Sequence, residues 1–478
     1  MNLSNRRFQK SLFIAGLLLR LPGLFFNGIF DIDQFIFQWG SAARHLGTAQ
    51  AFGRIYGFFS YLLFGFAAFL AEWIPRYWWA PYKLIEILFE AAILLALFRI
   101  LPPRRKHFAL FFFWLNPWFI LHGAWQGFWD GPHVFFALIC LLVFGWTHND
   151  KLRWFSTGLF LMVSAQFKPQ GLLYFVIPLG IYLTLQWFFS RRRSLIWFIL
   201  GSISVLSTLI IFLHPNAAPL LAVPKNYISV VTVMPTLSNA SLNIWRTITK
   251  IIQVFLGQSG PTYTLVLHGP IYKSLHIFAF GVVSSLLFLF SARLLSSGEG
   301  RARRSTLGPT PGACRSPDVF LVMVFASLTV SQLGTMAHIN HTYTALVLLI
   351  PLAVFNRRIL WAWATMVAVN LFGHLAVYRL GRAIVMPQRC LDSASAQPLI
   401  LRVETALASA AGSRVLGFQN SINQFISSYL REEPFLSVLS ALQFVCTLVI
   451  LREMFALASR PGPCGILDSD ISGEPIVP

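Results

Sequence analysis

The sequence predicts an all-α protein, a polytopic bundle of transmembrane helices, and three observations carry that prediction. Of its 478 residues, 56% are hydrophobic and 11% charged, against about 25% charged in a soluble domain. The 46 Phe and 15 Trp leave too little polar surface to face water. Apolar runs recur along the chain at lengths near the ~20 residues that a helix needs to cross a bilayer. The short alternating strands of a transmembrane barrel are absent from the pattern.

The runs lie at 11–27, 55–74, 82–101, 107–122, 132–147, 153–167, 172–190, 195–213, 275–296, 318–335, 342–356, 358–378 and 435–457. The first follows Arg6, Arg7 and Lys10 with no small-residue cleavage site, and so reads as an uncleaved span. Net charge is +20, but the basic residues form short clusters between apolar runs, a pattern that orients spans rather than binding nucleic acid. With the N-terminus inside, the run at 55–74 decides the topology. If it crosses, Arg104–Lys106 falls outside and Asp130 lies opposite Asp31 and Asp33. If it lies in the outer leaflet as a juxtamembrane helix, the basic clusters at 104–106, 151–153, 191–193, 301–304 and 357–358 all fall inside. The second arrangement gives about 12 spans and an inner C-terminus. A single membrane domain then covers residues 1–458 and a disordered tail 459–478, with outer segments at 214–274 and 379–434 and a flexible inner loop at 297–317. Asn239-Ala-Ser241 is a glycosylation acceptor by pattern alone. The five cysteines show neither CxxC pairing nor zinc spacing.

Polar residues gather at the outer ends of these spans. Asp31 and Asp33 follow the first, with Trp39 close behind; a carboxylate there can act as a general base toward an acceptor hydroxyl. Asn116-Pro117 breaks a helix from within. Gly123, Gly127 and Gly131-Pro132 then permit irregular backbone, which membrane depth tolerates only against protein or a cavity. His122, Trp125, Gln126, Asp130 and His133 sit on that turn. Lys168-Pro-Gln170 ends another span on the same side. His338 and His341 lie at i, i+3, on one face if the turn is helical; without a nearby carboxylate they make a poor metal site and serve better as donors to a phosphate. Asn243, Trp245 and Arg246 in the large outer segment offer amide, indole and guanidinium. Arg20, inside the first span, reads as a snorkelling or helix-pairing residue.

In this order the motifs resemble the GT-C superfamily, membrane glycosyltransferases that use a polyprenyl-phosphate sugar as donor, and most nearly its prokaryotic mannosyl- and glucosyltransferase-like members. The matching elements are Asp31/Asp33 with Trp39, Asn116-Pro117 through Gln126 and Asp130, Lys168-Pro-Gln170, Asn243-Ile-Trp245, and His338 to His341. Two departures stand out. Tyr56–Tyr61 lacks the prolines of the family's outer-leaflet helix, and Ile339 replaces a glutamate. The likeness covers residues 10–355.

The resemblance implies inverting transfer of a hexose, mannose or glucose, from a polyprenyl-phosphate donor to a glycan, lipid or protein acceptor at the outer face. Asp31 or Asp33 would be the base and Asp130 would orient the acceptor or support the base. Lys168, His338, His341 and Arg246 would face the donor phosphate. Trp39, His122, Trp125, Gln126, Gln170, Asn243 and Trp245 would line the cavity. No cofactor or metal is required in principle, because the phosphate is already an activated leaving group. Membrane lipid surrounds the protein, in a prokaryotic plasma membrane or, in a eukaryote, the endoplasmic reticulum. Two other classes share this outline. A transporter or flippase for lipid-linked sugars would place its polar groups at mid-span, and a scaffold of the same fold would lack catalysis.

Overall fold

The computed structural model describes residues 6–29, 31–51, 56–190, 192–213, 242–257, 270–302, 317–334, 341–378, 421, 423–424 and 433–459. Among the described residues the elements are helical throughout, with no β-strand. Every apolar run of the sequence forms helix. In chain order the longer helices are α1 (Arg6–Arg20), α2 (Phe58–Ala71), α3 (Ala80–Ile100), α4 (Gly131–Trp146), α5 (Asp150–Phe167), α6 (Ile177–Ser190), α7 (Ser194–Leu213), α8 (Ile244–Phe255, in the outer segment between runs), α9 (Pro270–Ala302), α10 (Pro317–Leu333), α11 (Thr342–Ala353), α12 (Arg357–Tyr378) and α13 (Glu433–Ser459). A 3-10 turn, Leu21–Phe25, prolongs α1. The run at 107–122 is the broken one: Pro103–Trp114 and Pro117–Gln126 meet at a bend of 50°.

The chain is a helical membrane protein. Among the described residues six stretches are long and apolar enough to cross a bilayer: Arg6–Phe25, Leu172–Ser190, Ser274–Ser297, Arg357–Tyr378, Phe435–Ser459 and α7. The bent pair makes a seventh if it is one span. The expected count of about twelve depends on the shorter apolar helices α4, α10 and α11 and on helices that carry charge, α3 and α5, with α2, also short and apolar, left out of it as the outer-leaflet helix. Helix α9 runs on to Ala302, into the segment expected to be a loop. The rest of that loop, the tail beyond Ser459, Asn239 and most of the two outer segments lie outside the described residues.

Large apolar side chains lie on the surface, and several charges lie inside. Leu88, Leu95, Phe188, Ile211, Phe212 and Ile277 are exposed, whereas Arg20, Lys83, Glu86, Glu90, Asp130 and Lys168 are buried. Soluble proteins rarely expose large apolar patches or bury charges without pairing them. A bundle solvated by lipid exposes apolar side chains outward, and its buried charges find partners inside, Arg20 with Glu90 and Lys168 with Asp130.

Two aromatic cores fill the interior. One gathers Phe113, Trp114, Trp118, Phe119, Phe290, Phe325 and Tyr343, with Phe290 stacked on Phe325 at 4.0 Å. The other gathers Phe35, Trp39, Tyr61, Phe64, Trp78, Tyr82 and Trp129. Helices α5 and α7 touch backbone to backbone. A Cβ at Gly158 would strike the Phe198 carbonyl, and one at Gly201 the Phe155 carbonyl. Small residues allow this approach in lipid, where helices gain nothing from hydrophobic exclusion.

Gly201→Leu should therefore lower the unfolding free energy in detergent by about 3 kcal/mol, the upper range for overpacking. Gly145→Leu, at a position with open space beside it, should leave thermal unfolding almost unchanged.

Candidate functional site

The break in the chain starts the site. Pro117 has no N–H to continue the preceding helix, and the Asn116 side chain accepts from Trp118 N at 3.0 Å to cap the next turn. That turn, Pro117–Ile120, widens into a π-helical segment, Leu121–Gln126. It stops at Gly127, whose φ of +77° is left-handed backbone that favours glycine. The chain then turns back through Phe128 and Trp129 to Asp130, at the start of α4.

Asp130 is buried and bonded from two directions. Lys168 Nζ donates to Oδ1 at 2.6 Å, and His122 Nε2 lies 3.2 Å from Oδ2. Lys168 stands in extended backbone directly after α5, as a residue before proline prefers, and this points it back at the turn. The His122 ring lies between Phe128 at 4.7 Å and Tyr343 at 4.5 Å, nearly parallel to both. An ionised Asp130 can only accept, so Nε2 carries the hydrogen in that pair.

Neighbouring groups extend the cluster. His374 Nδ1 pairs with Gln126 Oε1 at 2.8 Å, and its ring centre is 5.2 Å from that of His122. His133 Nε2 meets Thr344 Oγ1 at 2.8 Å. Gln170 Nε2 and His341 Nε2 are 3.1 Å apart, which joins the segment after Lys168 to the start of α11. The acidic segment comes to the same turn: Ile29 N donates to Gln126 O at 2.8 Å, and Ile32 packs against Gly28 and Gly127. Asp33, next in the chain, is buried. The Asp31 backbone is helical, while its side chain and the whole of His338 lie outside the described residues.

His122, Gln126, Asp130, Lys168, Gln170 and His341 thus come from three distant parts of the sequence to one region, and the segment that carries Asp33 reaches the same turn through Ile29 and Ile32. Other candidates sit elsewhere or are engaged in packing. Trp39 is buried among Phe35, Tyr56, Tyr61 and Phe64. Trp125 stacks on Phe26 at 4.8 Å and donates to Leu19 O. Trp129 donates to Ser60 Oγ at 2.7 Å, and Ser60 in turn donates to Phe167 O at 2.5 Å. Helix α2 thereby holds the end of α5 just before Lys168. Asn243, Trp245 and Arg246 belong to a second buried seam. Asn243 Nδ2 donates to Gly334 O and Trp245 Nε1 to Leu333 O, while Ser440 Oγ bonds the Asn243 carbonyl.

The structure adds residues that the sequence reading passed over: Lys83, Glu86 and Glu90 on α3, and His374 on α12. All four are buried. Arg20 pairs with Glu90 at 2.6 Å, the helix-pairing alternative for that residue. The signal was available, since charge inside an apolar run is expensive and calls for a partner. Among the described residues no group of three His, Cys, Asp or Glu is arranged to hold a metal ion. The arrangement offers a lysine, a carboxylate and the histidines His122, His133 and His374, all buried, where a developing charge is stabilised more strongly than in solution.

His122→Phe keeps the stack between Phe128 and Tyr343 but removes one bond from Asp130, and should cost about 1–3 kcal/mol in unfolding free energy. His122→Ala removes the stack as well and should cost more. Equal losses in the two variants would mean that the Asp130 contact contributes all of it. No protein-family model matches the chain, and no curated protein matches it.

Proposed function

We propose that the protein transfers a hexose, mannose or glucose, from a polyprenyl-phosphate sugar to an acceptor at the outer face of the membrane. The observation that carries this reading is the meeting of the acidic segment, the broken helix, the Lys168–Gln170 segment and His341 in one buried polar region. A carboxylate, a lysine and several histidines buried together at a helix break in a membrane protein support the reading of a functional site. π-helical turns such as Leu121–Gln126 are also frequent at functional sites.

In the proposed reaction the acceptor oxygen attacks the anomeric carbon as the carbon–oxygen bond to phosphate breaks, with inversion. Asp31 or Asp33 takes the acceptor proton. Lys168 neutralises the departing polyprenyl phosphate, with His338 and His341 as donors to it. Asp130 holds Lys168 until the phosphate arrives and orients the acceptor. Arg246 and the Asn243–Trp245 segment serve the donor from the neighbouring seam. The GT-C-like bundle behind this reading crosses the membrane about twelve times, with α2 in the outer leaflet.

A transporter for lipid-linked sugars is the second reading. The observation in its favour is that Glu90 lies at the middle of α3, with Glu86 one turn before it, as substrate sites of transporters lie near the midplane.

Membranes from a strain lacking the gene, complemented with wild type, Asp31→Asn, Asp33→Asn or Asp130→Asn, separate the two. The transferase reading expects label to move from polyprenyl-phosphate mannose or glucose to an endogenous acceptor, and one of the first two variants to lose at least about 100-fold in rate, the contribution of a general base. No transfer by wild type, with lipid-linked sugar retained on one leaflet of the deletion strain, would put the transporter in its place.

A further inference from the structure

Breaking a helix inside a membrane protein creates helix ends that water cannot solvate. The C-terminal ends of two segments, Leu21–Phe25 and Leu121–Gln126, meet beside α3. Lys83 reaches both. Its ammonium donates to Gly23 O at 2.9 Å, Phe26 O at 2.7 Å and Trp125 O at 2.5 Å, three hydrogens to three carbonyls. One turn further along α3, Glu86 Oε1 accepts from Asp130 N at 3.3 Å and Gly131 N at 2.5 Å, at the N-terminus of α4. One turn beyond that, Glu90 binds Arg20 and lies so close to Gly123 that a Cβ there would strike its carboxylate. Arg20 also donates to Trp114 O at 2.5 Å, where the first half of the broken helix ends.

The signs match the ends. A cation meets each C-terminus and a carboxylate meets the N-terminus, as the helix dipole favours. Residues 83, 86 and 90 follow i, i+3, i+7 and so share one face of α3. Stability alone is a weak reason for such a face, because apolar residues of similar volume often serve as well or better than buried charges. What the charges supply is a single register.

We propose that α3 is the positioning spine of the site. Lys83 is its key positioning residue: it fixes the turn carrying Gln126 and Asp130 against the segment carrying Asp31 and Asp33. The consequence for rate rests on the transferase reading above, while the consequence for structure stands without it.

The test compares wild type, Lys83→Met and Lys83→Gln in lipid nanodiscs. Hydrogen–deuterium exchange is followed at 21–29 and 121–131, and the rate of transfer from polyprenyl-phosphate mannose and glucose to endogenous acceptors is followed against donor concentration. In Lys83→Met, exchange at Ile29, Gly127 and Phe128 should rise at least about tenfold while α5, α7 and α12 keep their protection. The maximal rate should fall about 100-fold, the effect of an ångström of misplacement, with half-saturation by donor shifted less than about threefold. Lys83→Gln keeps two donors and should lie between, and it carries the same test if the methionine variant does not fold. Unchanged exchange in both segments, or exchange raised equally in every helix, would overturn the proposal. Loss of transfer with unchanged exchange would overturn it and leave the transferase reading standing. Localised loosening in a protein that transfers neither sugar would keep the spine and remove the transferase.

Discussion

A carboxylate buried in a helix bundle that faces lipid is held in place by its partners, and the Asp130–Lys168 pair at 2.6 Å is the bond on which the rest of this site is arranged. Losing either partner would leave an uncompensated charge in a dry interior, which is far costlier than never burying the pair. The pair therefore fixes two things at once: the return of the chain after the Gly127 turn, and the exit of the chain from α5. His122 adds a second hold on the same carboxylate, and its own ring is held flat between Phe128 and Tyr343. Helix α11, which supplies Tyr343, is thereby tied to the break as well.

The rest of the interior is organised by the helix break. Asn116-Pro117 separates two helical segments bent by 50° and leaves backbone groups that only protein can satisfy. Side chains meet that need. Asn116 caps the second half, Arg20 takes the last carbonyl of the first half, and α3 supplies Lys83 and Glu86 to the ends that follow. Each of these bonds also brings a distant segment to the break. The polar region is in this sense a product of the geometry of the break, and its polar side chains stand on backbone held from several sides.

Much of this was legible in the sequence. The fold class follows from apolar run length and scarce charge, and every run is helical. Asn116-Pro117 and the glycines after it mark the break, and Lys168 before a proline marks the exit from α5. The resemblance to a family pattern pointed at Asp130 and Lys168 together, though nothing in spacing alone shows that they touch. Lys83, Glu86 and Glu90 escaped notice because three charges are diluted by the apolar residues around them when a run is read for hydropathy, whereas their shared face appears only when it is read for helical phase. Trp39 and Trp125 stand among the expected cavity residues; the structure shows Trp39 packed among aromatic rings and Trp125 donating to Leu19 O, contacts that no local signal in the sequence gives. Asn243, Trp245 and Arg246 sit in a different seam because tertiary packing against α10 and α13 decides their place.

The measurement closest to the central claim is a double-mutant cycle on Asp130 and Lys168, read as unfolding free energy in a lipid-like medium. Asp130→Asn and Lys168→Met should each cost about 3–5 kcal/mol, because each strands a buried partner. The double variant should cost less than their sum by about 2 kcal/mol or more, the coupling of groups in direct contact. Additivity within about 0.5 kcal/mol would show that the two residues do not act as a pair, and the site would have to be built on another bond.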